Sequence, residues 1–90
     1  LLMVGWHDAG WHFELTLDPS NPIEPSPTPE DLFVFYLAGS VDATLVSRLE
    51  AAGGTRVAAH NPYWDRYGVT IEDPDGYRLV LCERSWSSEA

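Results

Sequence analysis

Hydrophobic residues recur at every second position from Trp11 to Leu17. Trp11, Phe13, Leu15 and Leu17 point one way, and His12, Glu14 and Thr16 the other. That period is the mark of a half-buried strand. Leu1–Gly5 is a short apolar run, and His7–Gly10 has turn composition, so the two runs read as a hairpin. Leu32–Leu37 is apolar on both faces, which predicts a strand covered on both sides. The period then lengthens. Val41, Leu45, Leu49 and Ala52 form one apolar stripe of an amphipathic helix. Ser40 is the expected N-cap, Asp42 suits the first turn, and Gly53 and Gly54 end the helix in left-handed geometry. Beyond it, Thr55–His60 reads as a strand, Asn61–Gly68 as a loop, Val69–Glu72 as a strand and Tyr77–Glu83 as the last strand. This half is therefore β-α-β-β-β, and the strands after the helix should be antiparallel neighbours.

Turn chemistry divides the chain. Five of its seven prolines lie in Asp18–Asp31, where missing N–H donors prevent both a helix and a central strand. The expected organisation is a hairpin at residues 1–17, a proline-rich linker at 18–31, a complete module at 32–84 and a tail at 85–90. In "DPDG", Pro74 suits the second turn position and Gly76 supplies a conformation that other residues resist. Asp73 and Asp75 then read as carboxylates that bond local backbone donors rather than as catalytic groups. Past the turn, Arg78, Val80 and Cys82 share one face and Tyr77, Leu79 and Leu81 the other.

Charge narrows the partners. A net charge of −9 with only five basic residues argues against nucleic acid and against an anionic membrane surface. A neutral or cationic small molecule suits it better. One cysteine, Cys82, forms no internal disulfide, which points to a reducing, cytoplasmic setting. Cys82 reads as buried and structural. No apolar run approaches the ~18 residues of a membrane span. The chain opens at Leu1 directly in a strand-like run, which suggests that sequence precedes it.

With these residues in place, "GVTIEDPDGYRLVL" after a helix ending in "AAGG" resembles the second module of the vicinal oxygen chelate superfamily. That group includes glyoxalase, bleomycin-resistance proteins and extradiol dioxygenases. The resemblance covers Leu32–Glu83, and "WHFELT" resembles the closing strand of the first module. It implies an α+β fold: a glyoxalase-like βαβββ module with a mixed curved sheet and one covering helix, preceded by a hairpin left from a truncated first module. In such proteins two modules form a cup whose concave face often holds a metal. Glu14 stands where the family carries a glutamate ligand. Leu32 and Val80 stand where two further ligands would be. A leucine and a valine offer no lone pair, so the resemblance implies a family metal site that is lost here.

Other chemistry is sparse. His7, Asp8, His12 and Glu14 form one ligand-rich cluster with nothing nearby to complete a metal shell. His12 and Glu14 share a strand face and suit acid–base work, but no nucleophile or oxyanion donor accompanies them. Tyr63 and Trp64 sit in the aromatic loop and suit either a cap on the sheet or a lid over a flat ligand. The expected ligand pocket is Glu14, His12, Leu32, Val34, Tyr36, Trp64, Thr70 and Val80, with Thr70 placed by the resemblance. The leading expectation is a small-molecule binder without cofactor, holding an apolar or cationic aromatic ligand in a cup closed by homodimerisation. The alternatives are a lyase, isomerase or dioxygenase with a divalent metal completed elsewhere, and a domain that only mediates association.

Overall fold

The computed structural model describes residues 2–86. Strands β1 (Leu2–Val4) and β2 (Phe13–Leu15) form an antiparallel ribbon in the register Leu2↔Leu15, Met3↔Glu14, Val4↔Phe13. The chain continues through β3 (Leu32–Tyr36), α1 (Ala43–Ala51), β4 (Thr55–Val57), α2 (Pro62–Tyr67), β5 (Gly68–Glu72) and β6 (Arg78–Cys82). The second sheet has the order β3-β6-β5-β4. β4, β5 and β6 pair antiparallel, while β3 lies parallel to β6. This is the mixed sheet expected from a βαβββ module.

The register sorts side chains into two faces. Leu32, Val34 and Tyr36 pair with Arg78, Val80 and Cys82, and these with Glu72, Thr70 and Gly68. The alternate residues Phe33, Phe35, Leu79, Leu81, Val69 and Ile71 face the other way. α1 covers this second face. Leu49 and Ala52 line a cavity with Ile71, Leu79 and Phe33. A Cβ on Gly54 would lie 2.7 Å from Ile71 Cγ2, so the helix exit touches the sheet through a residue without a side chain.

Several local expectations need correction. The N-cap of α1 is Asp42, not Ser40: its carboxylate accepts the Thr44 N–H at 2.8 Å, so the helix starts at Ala43. Val46, outside the expected stripe, is the most buried residue of α1, while Ala52 is exposed. Asn61–Gly68 is not a plain loop. Asn61 Oδ1 accepts the Tyr63 N–H at 3.0 Å and Pro62 opens the helix, so capping offsets the weak helix preference of its aromatic residues. β2 is three residues long, and Leu15 and Leu17 remain exposed. β3 is not covered evenly either, since Phe33 is 54% exposed.

The turn after β5 follows its sequence at Asp73 and Gly76 but not at Asp75, whose carboxylate is exposed and accepts no backbone bond among the described residues. Asp73 Oδ1 accepts the N–H groups of Asp75 and Tyr77, both at 2.9 Å, and Gly76 has φ 95°. Asp73→Ala removes both acceptor contacts and is expected to cost about 1–2 kcal/mol in urea unfolding. Asp73→Asn keeps an acceptor oxygen and should recover most of that. Asp75→Ala, at an exposed site, should stay within about 0.5 kcal/mol of the parent. The linker docks on this same turn. The Ser26 N–H donates to the Tyr77 hydroxyl at 3.1 Å, and Pro27 stands against Gly76.

Candidate functional site

Period-two alternation puts Leu32, Val34, Tyr36, Thr70 and Val80 on one wall, opposite α1. Trp64 reaches that wall from α2, with its ring 6.5 Å from Tyr36. The interior of the wall is sealed. Val80 and Cys82 are 0% exposed and Thr70 1%. α1 lies on the other side, and α2 packs against β5 and β6. Val34 and Tyr36, toward the β3 edge, stay reachable.

His12 and Glu14 do not join this wall, contrary to expectation. His12 Nε2 and Glu14 Oε1 are 2.9 Å apart, and both groups are about half exposed. Phe13 packs edge-on to Phe33 at 4.8 Å, so its strand neighbours must project from the opposite side of the ribbon. His7 pairs, among the described residues, only with Asp8, at 3.2 Å, and both side chains are open to solvent. Among the described residues no three His, Cys, Asp or Glu side chains gather where an ion would fit.

A different set of residues converges at the β3 edge. Trp6 stacks on Phe35 at 5.5 Å with 20° between planes, Trp11 lies 6.1 Å from Phe35, and Phe13 bridges Trp11 to Phe33. Trp6, Trp11, Phe13 and Phe35, with Val34, Tyr36 and Leu37, line a cleft of about 370 Å³. That is room for a small ring system between flat walls. Trp6 is 62% exposed and Trp11 42%, so the rings are open to a ligand. Of this set the expected pocket held only Val34 and Tyr36. The signal for the rest was the same alternation that put Trp11 and Phe13 on one side of β2. What it could not supply was the partner that this side meets.

Below the far end of the wall, Arg84 stands 4.7 Å over the Tyr67 ring and donates to the Tyr63 hydroxyl at 3.3 Å. These contacts tie the segment after β6 to α2.

Comparison with known proteins places this geometry. Residues 30–83 match the family model described as the YycE-like C-terminal domain. The chain belongs to the YycE-like family. An uncharacterised protein YycE from Bacillus subtilis is 42% identical over 81 residues, covering 89% of this chain and 58% of that protein. A crystal structure of a YycE protein of unknown function from Bacillus subtilis, assigned provisionally to the glyoxalase/fosfomycin resistance proteins, superposes with a TM-score of 0.64 at 43% identity. The match covers 73% of this chain and 49% of that one. The chain thus spans about half the length of the YycE relatives it matches. The glyoxalase-like neighbour agrees with the vicinal oxygen chelate resemblance read from the β5–β6 region.

That resemblance implies a metal, and the residues present do not fit one. Val80 is apolar and fully enclosed, Leu32 is apolar, and Glu14 lies on the ribbon with its carboxylate engaged by His12. A divalent ion needs several oxygen or nitrogen donors converging on one point.

Proposed function

We propose that this YycE-like chain belongs to a small-molecule binding protein of the glyoxalase/bleomycin-resistance kind. It holds a flat apolar or cationic aromatic ligand by stacking. The observation that carries this reading is the cleft walled by Trp6, Trp11, Phe13 and Phe35. Ring faces favour a cation, and a net charge of −9 attracts one from a distance. The exposed apolar side chains Leu2, Met3, Val4 and Leu15 are surface that a second copy would cover, closing the site from outside.

N-methylacridinium, a planar aromatic cation, is the test probe. It should quench tryptophan emission saturably. Trp6→Ala and Trp11→Ala should each weaken binding roughly tenfold, the equivalent of about 1.4 kcal/mol. Their far-ultraviolet circular dichroism should be unchanged, and sedimentation should show a dimer. Equal affinity in both variants would remove the cleft from the reading. Retention of one zinc, iron, nickel or manganese ion per chain after dialysis against chelator would replace it with a metal-dependent activity.

A further inference from the structure

We propose that the cavity between the exit of α1 and the β5–β6 turn is a second binding site, for a small organic ammonium. Its ligand is one apolar ring or short branched chain carrying one protonated amine. The cavity lies on the α1 side of the sheet and shares no lining residue with the aromatic cleft.

Size and lining set the apolar part. The cavity holds about 240 Å³. An apolar cavity of about 150 Å³ already accepts a benzene ring. Phe33, Leu49, Ile71 and Leu79 supply apolar walls. Phe33 is half exposed, so the cavity opens to solvent rather than being closed within the core. The chain does not fill it, because its α1 wall is Ala52, Gly53 and Gly54. A Cβ on Gly54 would come within 3.0 Å of both Ile71 and the Leu49 carbonyl oxygen, and Gly53 is left-handed at φ 110°. That wall therefore remains backbone.

The polar groups set the charge. Asp73 lines the cavity. Its Oδ1 is taken by the N–H groups of Asp75 and Tyr77, while its Oδ2 accepts nothing among the described residues. The other contributor is the negative end of α1. The Arg48, Leu49 and Glu50 carbonyls accept the N–H groups of Ala52, Gly53 and Gly54, but no described backbone bond of this exit ends on Ala51 or Ala52. Carboxylate and carbonyl oxygens only accept, and an ammonium brings three donors. Arg78 also borders the cavity, but its Nε donates to Glu72 at 2.9 Å, so it is not free for an anion. Arg48 and Glu50, exposed on the last turn of α1, carry opposite charges and leave the balance to Asp73. An anionic ligand would meet that carboxylate directly, and a neutral one would leave it unused.

Benzylammonium and benzyl alcohol share a ring and differ in charge, so they test the site as a pair. Followed by chemical shifts, benzylammonium should move Leu49, Ile71 and Leu79 saturably at about millimolar concentration. Benzyl alcohol should move the same residues with affinity lower by about fivefold, the scale of an exposed ion pair. Asp73→Asn keeps an acceptor for the turn. It should bring benzylammonium to the alcohol's affinity and leave the alcohol unchanged. Ala52→Trp, at an exposed position of the wall, should block both probes. Trp6→Ala, in the aromatic cleft, should alter neither, which separates this site from the function proposed above. No saturable benzylammonium shift at the three residues would overturn the proposal. So would equal affinity for the two probes, parent-like binding of both by Ala52→Trp, or a folded Asp73→Asn protein that binds the cation as the parent does.

Discussion

Val80→Glu is expected to leave the chain largely unfolded at neutral pH. Val80 sits on the strand flanked by neighbours on both sides, pairs with Val34 and Thr70, and is 0% exposed. The vicinal oxygen chelate resemblance places a glutamate here, but this wall gives a carboxylate nothing to bind. Thr70 offers one hydroxyl and Val34 offers none. Burial without a partner raises a carboxyl's pKa by several units, which costs up to about 4 kcal/mol at pH 7, and overpacking by the longer side chain adds about 1–3 kcal/mol. Stability of a domain this size is of the same order. The sign with pH follows. The folded state would bind the proton more tightly than the unfolded state, so stability falls as pH rises. The deficit is therefore smallest below the unfolded pKa of about 4.3 and grows as pH rises through the raised folded value. Urea midpoints for parent and variant at pH 4 and pH 7 check this. A variant as stable as the parent at pH 7 would mean that the wall is wet, contrary to its burial. Val80→Met, apolar and flexible, should cost much less.

Gly68→Ala is expected to be nearly as damaging, by about 3 kcal/mol or more, through backbone contact alone. A Cβ at Gly68 would drive into the Leu81 carbonyl oxygen and lie 3.0 Å from Cys82 Cα. Both belong to β6, which is held from both sides by β3 and β5. Neither can withdraw without breaking the ladder. The backbone at Gly68 is extended, so the cost is crowding rather than torsion. Gly39→Ala is the control. Nothing lies within 4 Å of the added carbon, and its midpoint should hardly move. If the two variants unfold together in urea, the close approach of β5 and β6 at Gly68 is not what the structure shows.

Two other glycines mark where the sequence was readable. Gly53 and Gly76 adopt the left-handed backbone that their surroundings implied, with φ 110° and 95°, whereas Gly54, expected to share it, does not. Turn chemistry at Asp73–Gly76 and alternation after it placed β6 to within a residue or two at each end. The faces of β3 and β6 followed from period two, and the observed register puts Val34 beside Val80. The N-cap of α1 was misplaced by two positions because Ser40 and Asp42 are both good capping residues. Only the Thr44 contact distinguishes them. α2 was missed because its six residues carry aromatics and a proline rather than an apolar stripe. The available signal was Asn61 before Pro62. The larger miss was tertiary. Alternation told which side chains of β2 stand together, but not that they lie on Phe33 and Phe35, which carries His12 and Glu14 away from the wall.

The parallel pairing of β3 with β6 has a consequence for how the chain is made. β5 and β6 are adjacent in sequence and joined by a turn that Asp73 pre-forms, so they can meet early. β3 must wait for a partner that is the last of the described strands to be synthesised. Until β6 has left the ribosome, Leu32–Tyr36 is an apolar segment with both edges open, the kind that recruits chaperones or other nascent chains. Loop closure over such a separation is slow, so β3 docking should limit the folding rate.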